Sequence, residues 1–370
     1  MPATHPVPDI LLSSVELGGQ TLANRIALAR MTRGRAPGYV AHELMRDYYT
    51  ARATAGLVIT EGTFVSEEAI GWVDAPGVFT PRQAEAWKPI VDAVHNAGGV
   101  IYCQLWHTGR ASHSAFHGGV LPVAPSPVRL EGDGVHIPGQ SDKVDHETPR
   151  ELTVPQIQQT VRDFANAAGQ AKTAGFDGVE VHSANGYLLD TFLQSKTNRR
   201  TDDYGGSIAN RLRLLGEVLD AVGEHWPANR IGVRLSPNGA FNDMGGDDFR
   251  DTFTQAFRTL SNRKLAYLHV LDGLAFGFHE KGEPLKLEEI REDYEGTLIA
   301  NCGYDRDDAD QAIRDGHADL VAIGRPYLGN PDLVEKFKAG EDLKPGPAMK
   351  YWYGGGVDGY TNLDVEREDG

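Results

Sequence analysis

The stretch Asp177-Gly-Val-Glu-Val-His182-Ser-Ala-Asn185-Gly-Tyr187 decides the fold and marks the reactive end of one strand. Its run of β-branched residues predicts a buried strand, and a helical pattern leads into it. His182 and Asn185 can donate hydrogen bonds, and a tyrosine phenol with the ordinary pKa of about 10 keeps its proton at neutral pH. Such a set suits a reaction that builds negative charge on an oxygen and then protonates a neighbouring carbon.

Short apolar runs alternate with helical patterns along the whole chain. The runs lack clean polar alternation, as expected of parallel strands that are covered on both faces. Eight strand-then-helix units favour the α/β class and a (β/α)8 TIM barrel, as a single domain over residues 1–370; an open doubly wound sheet is the alternative. The predicted strands are Arg25–Ala29, Gly56–Thr60, Val100–Leu105, Gly178–His182, Arg230–Leu235, Ala266–Val270, Thr297–Ala300 and Asp319–Ile323.

Helices between the strands are predicted from the spacing of apolar residues. In Pro155–Ala174, residues such as Ile157, Val161 and Phe164 fall on one face, and Gly175 suits the C-terminal stop. The same spacing predicts five more helices: Glu43–Ala55, Arg82–Ala97, Ser207–His225, Asp247–Asn262 and Asp305–Asp315.

Two segments depart from this alternation. Ile10–Gln20 contains Gly18-Gly19 before the first strand, which predicts an N-terminal hairpin that closes the bottom of the barrel. Residues 107–150 are too long for a simple connection and are predicted to form a lid insertion after strand 3.

The composition narrows the classes of partner. The 370 residues are 40% apolar, and 36 Lys and Arg against 52 Asp and Glu give a net charge of −16. An acidic surface argues against a nucleic acid or an anionic membrane as partner, and no apolar run reaches the roughly 18 residues of a membrane span. We expect a cytoplasmic protein without a signal peptide, either a monomer or a homodimer, with Cys103 and Cys302 as buried free thiols.

The predicted strand ends carry polar residues where a barrel places its chemistry. Thr32, Gln104 and Arg234 offer a hydroxyl, an amide and a cation on three different strands. Such a set can bind the polar edge of a flat heteroaromatic ring and stabilise its anionic reduced form, which indicates flavin mononucleotide (FMN). Glycine-bearing turns at Gly303 and Gly324, with the cation of Arg325, are typical of a barrel phosphate site.

Several longer motifs resemble those of the Old Yellow Enzyme family of FMN-dependent ene-reductases. They occur in order over nearly the whole chain, and they include Arg46-Asp-Tyr-Tyr-Thr-Ala-Arg-Ala-Thr-Ala-Gly, Gln104-Leu-Trp-His-Thr-Gly-Arg110, Gly175-Phe-Asp-Gly-Val-Glu-Val-His-Ser-Ala-Asn-Gly-Tyr-Leu-Leu-Asp190, Thr201-Asp-Asp-Tyr-Gly-Gly-Ser-Ile-Ala-Asn-Arg211 and Gly324-Arg-Pro-Tyr-Leu-Gly-Asn-Pro-Asp332.

The resemblance implies a role for each matching residue. Tyr187 would donate the proton, while His182 and Asn185 would bind the oxygen of the substrate. The implied FMN contacts are Ala29, Met31, Thr32, Gly62, Gln104, Arg234, Cys302, Gly303, Gly324 and Arg325; the implied walls of the substrate pocket are Trp106, Tyr353 and Trp72.

The resemblance also implies a reaction. NADPH or NADH would reduce the bound FMN and leave. An α,β-unsaturated carbonyl compound or a nitroalkene would then take hydride from flavin N5 and a proton from Tyr187, in ping-pong order. The sequence departs from the family pattern at two places. Arg30 stands where a proline is frequent, and the segment Leu274-Ala-Phe-Gly-Phe-His279 differs. The resemblance therefore does not predict the composition of one wall of the substrate pocket.

Three other functions compete with an ene-reductase. A barrel aldolase or lyase needs a Schiff-base lysine or metal ligands at the strand ends, and neither is found there; His107, His113 and His117 lack a carboxylate or cysteine partner at ligand spacing. A flavin-binding protein without catalysis has no need for His182 and Tyr187. The larger iron–sulfur branch of the superfamily is excluded because the chain has only two cysteines.

Overall fold

The computed structural model describes residues 9–29, 31–274 and 277–368. Arg30 and part of the segment from Leu274 to His279, the two departures from the family pattern, therefore lie outside the described residues. Within the described ranges, no helix combines the length and the apolar character needed to cross a bilayer.

Eight parallel strands form a closed barrel. Each strand pairs with the next in chain order, and the eighth pairs with the first. This closure confirms the TIM barrel and shows that the open doubly wound sheet was wrong. The strands are β1 (Ile26–Leu28), β2 (Leu57–Ile59), β3 (Ile101–Trp106), β4 (Gly178–His182), β5 (Ile231–Leu235), β6 (Tyr267–Leu271), β7 (Leu298–Asn301) and β8 (Leu320–Ile323).

One helix follows each strand around the outside. These are α1 (Glu43–Thr50), α2 (Pro81–Asn96), α3 (Val154–Ala174), α4 (Ile208–Gly223), α5 (Phe249–Ser261), α6 (Leu287–Asp293), α7 (Arg306–Arg314) and α8 (Leu333–Ala339). Short α-helices lie at Leu188–Leu193 and Pro326–Gly329, and 3-10 turns at Pro37–Tyr39, Ser114–Phe116, Ala228–Arg230 and Met349–Tyr351. The sequence did not predict α6 and α8, because seven residues span only two turns and give little periodicity.

The N-terminal hairpin closes the bottom of the barrel, as predicted. Its strands, Val15–Leu17 and Gln20–Leu22, pair antiparallel around Gly18-Gly19, slightly later in the chain than predicted. Gly18 has a φ of +57°, and a Cβ there would lie 2.0 Å from the main-chain oxygen of Asn229, so the turn requires glycine. Leu17 and Leu22 are buried among the inward-facing residues of the strands.

The lower barrel interior is filled by two tyrosine rings, those of Tyr102 and Tyr267, whose centroids lie 5.8 Å apart. A Cβ at Gly178 would lie 2.4 Å from the first ring, and one at Gly232 would lie 2.3 Å from the second. These glycines on β4 and β5 therefore leave the space that the rings occupy, and the barrel is a packed core rather than a pore.

The insertion after β3 forms its own short strand pairs. Val123–Ala124 pairs parallel with Arg150–Glu151, and Val135–His136 pairs antiparallel with Lys143–Val144. Arg110 fixes the start of the insertion: its guanidinium donates to the main-chain oxygens of Val128 (3.1 Å) and, in the loop after β5, of Asn242 (2.9 Å). The insertion thus packs at the C-terminal mouth of the barrel. A further short strand, Thr63–Phe64, adds to β3.

Candidate active site

A layer of polar side chains crosses the barrel beneath its C-terminal mouth. Five successive strands, β3 to β7, each contribute one buried member; the members are Gln104, Glu180, Arg234, His269 and Asn301, hereafter the polar layer. The remaining strands, β8, β1 and β2, contribute Ala322, Ala29 and Ile59, which belong to the apolar interior cluster. The floor of the mouth is therefore polar on one side and apolar on the other.

Glu180 connects three members of the polar layer. One carboxylate oxygen accepts a hydrogen bond from Gln104 Nε2, and the other lies 2.8 Å from Nδ1 of His269. Burial would raise the pKa of Glu180, but His269, Arg234 and Gln104 together hold it below its ordinary value, so the side chain is a carboxylate at neutral pH. Arg234 in turn donates to Asn301 Oδ1 over 3.0 Å.

A cavity of about 520 Å³ opens above this floor. Most of the predicted site residues line it: Ala29, Met31, Thr32, Trp72, Asn185, Tyr187, Arg234, Cys302, Gly303, Gly324, Arg325 and Tyr353. Four predicted residues, Gly62, Gln104, Trp106 and His182, are buried and are not among the lining residues. The insertion of residues 107–150 contributes no lining residue, so its role as a lid remains a prediction.

The turn after β4 brings three predicted catalytic residues together. The ring of Tyr187 lies 5.1 Å from that of His182 and 4.9 Å from that of Trp106, in edge-to-face contacts. The main-chain N–H of Ala184 donates to His182 Nδ1 over 3.3 Å, so the neutral imidazole carries its proton on Nε2. His182 is therefore built as a hydrogen-bond donor through Nε2.

Asn185 is held in the left-handed conformation, with a φ of +59°. Its N–H donates to Ser236 Oγ over 2.7 Å, and its carbonyl oxygen accepts from Asn242 Nδ2 over 2.8 Å. Both partners belong to the loop after β5. Contacts from a neighbouring loop therefore stabilise the left-handed backbone conformation of Asn185. This conformation carries a small free-energy cost for asparagine and a larger cost for most other residues.

A buried carboxyl group supports the next residue of the turn. Asp190 Oδ2 accepts from the N–H of Gly186 over 2.8 Å, and its Oδ1 accepts from Gln194 Nε2 over 2.8 Å. Burial raises the pKa of Asp190 to about 6. Gln194 Oε1 also accepts from the N–H of Gly245 over 3.0 Å, which joins the β4 turn to the loop that carries Phe241 into the cavity.

The predicted phosphate end of the cavity lies after β7 and β8. Cys302 and Gly303 have φ values of +98° and +96°, and the guanidinium of Arg325 lies 5.7 Å from the ring centre of Trp352. Cys103 is buried, as predicted, but Cys302 is only partly buried. The prediction of a buried thiol was wrong there because the residue belongs to the cavity wall rather than to the core.

Residues 349–360, hereafter the C-terminal segment, cover one side of the cavity with Trp352 and Tyr353. Two fully buried or nearly buried arginines hold this segment through its main chain. Arg33 donates to the oxygens of Trp352 (2.7 Å) and Gly359 (2.7 Å), and Arg35 donates to that of Tyr351 (2.9 Å).

An aromatic stack adds to this attachment. The ring of Tyr360 stacks on that of Tyr48 at 4.1 Å, and both arginine guanidinium groups lie within about 5 Å of the Tyr360 ring centre. The attachment sets Tyr353 5.3 Å from Trp72 across the cavity. Sequence reasoning missed both arginines; the only signal was their position within three residues of Thr32.

The residues present fit FMN. Gln104 Oε1 is buried and has no hydrogen-bond partner among the described residues, so it can accept from a bound polar group. A Cβ at Gly303 would meet no atom within 4 Å, which leaves room for a ligand close to the backbone. The half-polar floor matches a flat ring with one polar edge, and Arg325 supplies a cation for a phosphate. Among the described residues, no group of three or more His, Cys, Asp or Glu side chains could hold a metal ion.

Comparisons with known proteins agree with this geometry. The model of the NADH:flavin oxidoreductase / NADH oxidase family matches residues 11–344. An old yellow enzyme homologue from Zymomonas mobilis superposes with a TM-score of 0.91 at 39% identity, covering 96% of this chain and 99% of the other. The chain belongs to the Old Yellow Enzyme family. The protein is thus an FMN-dependent oxidoreductase that uses a nicotinamide co-substrate.

Other members of the Old Yellow Enzyme family show similar agreement. Morphinone reductase superposes with a TM-score of 0.90 at 40% identity and 96% coverage of both chains, and it has also been solved with tetrahydroNAD. 12-oxophytodienoate reductase 2 of Arabidopsis thaliana is 36% identical over 97% of this chain and 96% of the relative. A putative 12-oxophytodienoate reductase 11 of Oryza sativa subsp. japonica is 39% identical over 95% and 96%.

Proposed function

We propose that the protein is an ene-reductase that reduces the activated C=C bond of α,β-unsaturated carbonyl compounds or nitroalkenes. The observation that carries this proposal is the grouping of the donors His182 and Asn185 with the phenol of Tyr187 at the turn after β4. A protein that merely binds flavin does not need such a group. Relatives are named as reductases of 12-oxophytodienoate and morphinone, which supports the reaction class.

His182 and Asn185 bind the carbonyl or nitro oxygen of the substrate in this proposal. The imidazole donates from Nε2, because its Nδ1 already accepts from the N–H of Ala184. The donors therefore draw electron density towards the oxygen and stabilise the negative charge that develops there. Bound FMN supplies the hydride.

Tyr187 delivers the proton to the substrate α-carbon. Its phenol is nearly buried, with 5% of the side chain exposed, and it packs edge-on against Trp106 and His182, so its direction is fixed. Nicotinamide and alkene are expected to use this cavity in turn, which gives ping-pong kinetics. Thr32, Gln104, Arg234 and Arg325 are assigned to FMN, and Trp72, Trp106 and Tyr353 to the walls around the alkene.

A spectroscopic assay of the two half-reactions tests the proposal. The purified protein should show a flavin absorption spectrum, and NADPH or NADH should bleach it under anaerobic conditions. Addition of 2-cyclohexenone or a nitroalkene should restore the spectrum with release of the saturated product. The proposed function would be contradicted if oxygen reoxidised the reduced protein while neither 2-cyclohexenone nor the nitroalkene did so.

A further inference from the structure

Glu180 is a buried anion in the barrel interior, and none of the catalytic roles above uses it. It lies on β4 two residues before His182, so both side chains face the same side of the strand. Its relative exposure is 0%, and a carboxylate in such a place is costly unless several partners hold it. Those partners are Gln104, His269 and, through its charge, Arg234.

The bond from Gln104 fixes the orientation of the Gln104 amide. A side-chain amide can be turned by 180°, which exchanges its donor and its acceptor. Because Nε2 donates to the Glu180 carboxylate, which can only accept, Oε1 must face the other way. That oxygen is the buried acceptor without a partner among the described residues, so the carboxylate decides that Gln104 offers an acceptor, and not a donor, to the cofactor.

Besides the imidazole of His269, which lies 2.8 Å from its carboxylate, Glu180 acts on the cation of Arg234. Arg234 lines the cavity and lies in the same layer, and the charge of each side chain acts on the other. In a buried site, an anion beside this cation reduces the positive potential at the cavity floor. A reduced flavin that carries negative charge is therefore stabilised less than it would be by Arg234 alone.

We propose that Glu180 is a positioning residue for FMN. Glu180 orients the Gln104 amide so that its acceptor oxygen faces the flavin ring. Its negative charge also offsets the charge of Arg234 and so lowers the reduction potential of the flavin. This inference rests on the roles that the proposed function assigns to Gln104 and Arg234.

Substitution of Glu180 by Gln and by Asp separates the two effects. Glu180→Gln removes the charge, and the midpoint potential of the bound FMN should rise by about 30 mV or more, the two-electron equivalent of a tenfold change in the reduction equilibrium. Glu180→Asp keeps the charge but shortens the reach to Gln104. It should leave the reduction equilibrium within about threefold of wild type while weakening FMN binding about tenfold.

Tyr102→Phe is the matched control, because it removes a buried hydroxyl from the next layer down without changing a charge. An anaerobic titration against a reference dye gives the potential, and the fluorescence of FMN released on dilution gives the dissociation constant. An unchanged potential in Glu180→Gln, or an equal shift in Tyr102→Phe, would overturn the inference.

If Glu180→Gln does not fold, Glu180→Asp still tests the orientation of Gln104, and unchanged FMN affinity there would count against it. Failure of the proposed function would look different. In that case the wild-type protein would bind FMN and show a potential, but its reduced form would not reduce an alkene.

Discussion

The Nε–H of Arg33 donates to the main-chain oxygen of Trp352 over 2.7 Å, across 319 residues of sequence. Arg33 directly follows Thr32, which lines the cavity, and Trp352 also lines it. One turn of the chain therefore supplies both a residue for the cofactor and the attachment of the segment that covers it.

Replacement of Arg33 by methionine should loosen the C-terminal segment. The change removes the Arg33 donor of the Gly359 oxygen and leaves the Trp352 oxygen with only the longer bond from Arg35 (3.3 Å), so it should lower the free energy of unfolding by about 3 kcal/mol. Urea unfolding measures the loss, and limited proteolysis should cut within residues 349–360 first. Arg46→Gln is the control, since the Arg46 side chain is 43% exposed and pairs with Asp47 at the surface; the stability of this variant should change by less than about 0.5 kcal/mol. Equal protease resistance of Arg33→Met and wild type would refute the attachment.

Tyr187→Phe should separate the two half-reactions. Phenylalanine keeps the edge-on packing against Trp106 but has no proton to give, so alkene reduction should fall on the order of 100-fold or more. Reduction of the flavin by NADPH or NADH should stay within about twofold. Stopped-flow absorbance of each half-reaction measures both rates, and an equal loss in the two would remove Tyr187 from its assigned role.

His182→Ala should slow alkene turnover about 100- to 1,000-fold. This is the effect of losing one preorganised hydrogen-bond donor to a developing oxyanion, which raises the activation free energy by about 2.7–4 kcal/mol. The exposed His136 of the insertion provides the control, and His136→Ala should leave turnover unchanged. Saturation kinetics with 2-cyclohexenone give the comparison. Turnover of His182→Ala within threefold of wild type would show that the imidazole does not bind the oxygen.

The contribution of Asp190 to the stability of the protein should fall as the pH rises from about 4 to 6, against an opposite contribution from buried histidines such as His107, whose pKa is lowered by burial. Its pKa is raised by burial to about 6 in the folded chain, against about 3.9 when unfolded, so the folded state holds the proton more tightly. The stabilisation by this proton is full below pH 4 and is lost as the pH passes 6, a change of about 3 kcal/mol. Asp190→Asn should remove this fall, so that the stability of the variant rises relative to that of wild type between pH 4 and 6, as measured by urea unfolding at several pH values. A variant curve parallel to that of wild type would exclude Asp190 as a source of the slope.

Gly186→Ala should distort the turn that carries Tyr187. Gly186 has a φ of +70°, and an added Cβ would lie 2.6 Å from Cβ of Asn242. Gly206 has a φ of +75° but open space, so Gly206→Ala should lose only the conformational term of about 1–2 kcal/mol. The Gly186 variant should lose more stability and should also reduce alkenes more slowly. Thermal unfolding measures the stability of both variants. Equal losses of stability in the two would show that the loop after β5 shifts to make room for the added methyl group.

The strand pattern predicted the barrel because buried parallel strands appear as short continuous apolar runs, while amphipathic helices repeat apolar residues with a period of about 3.6. The strand ends likewise predicted most residues of the cavity wall. Glu180 was missed although its spacing from His182 placed it on the same face, because an acidic residue inside a strand gains its meaning only from partners on β3 and β6. Arg33 and Arg35 were missed because their partners are main-chain oxygens, which no side-chain motif encodes.

The attachment between Arg33 and the C-terminal segment has a consequence for biosynthesis. Residues 349–360 are translated after every strand of the barrel, so α1 to α8 can pack while the cavity still lacks its wall of Trp352 and Tyr353. Until the ribosome has released that segment, the guanidinium groups of Arg33 and Arg35 lack the carbonyl partners that the segment supplies. The nascent chain then exposes the apolar walls of an open cavity to solvent. The wall of Trp352 and Tyr353 is therefore the last part of the cavity to form.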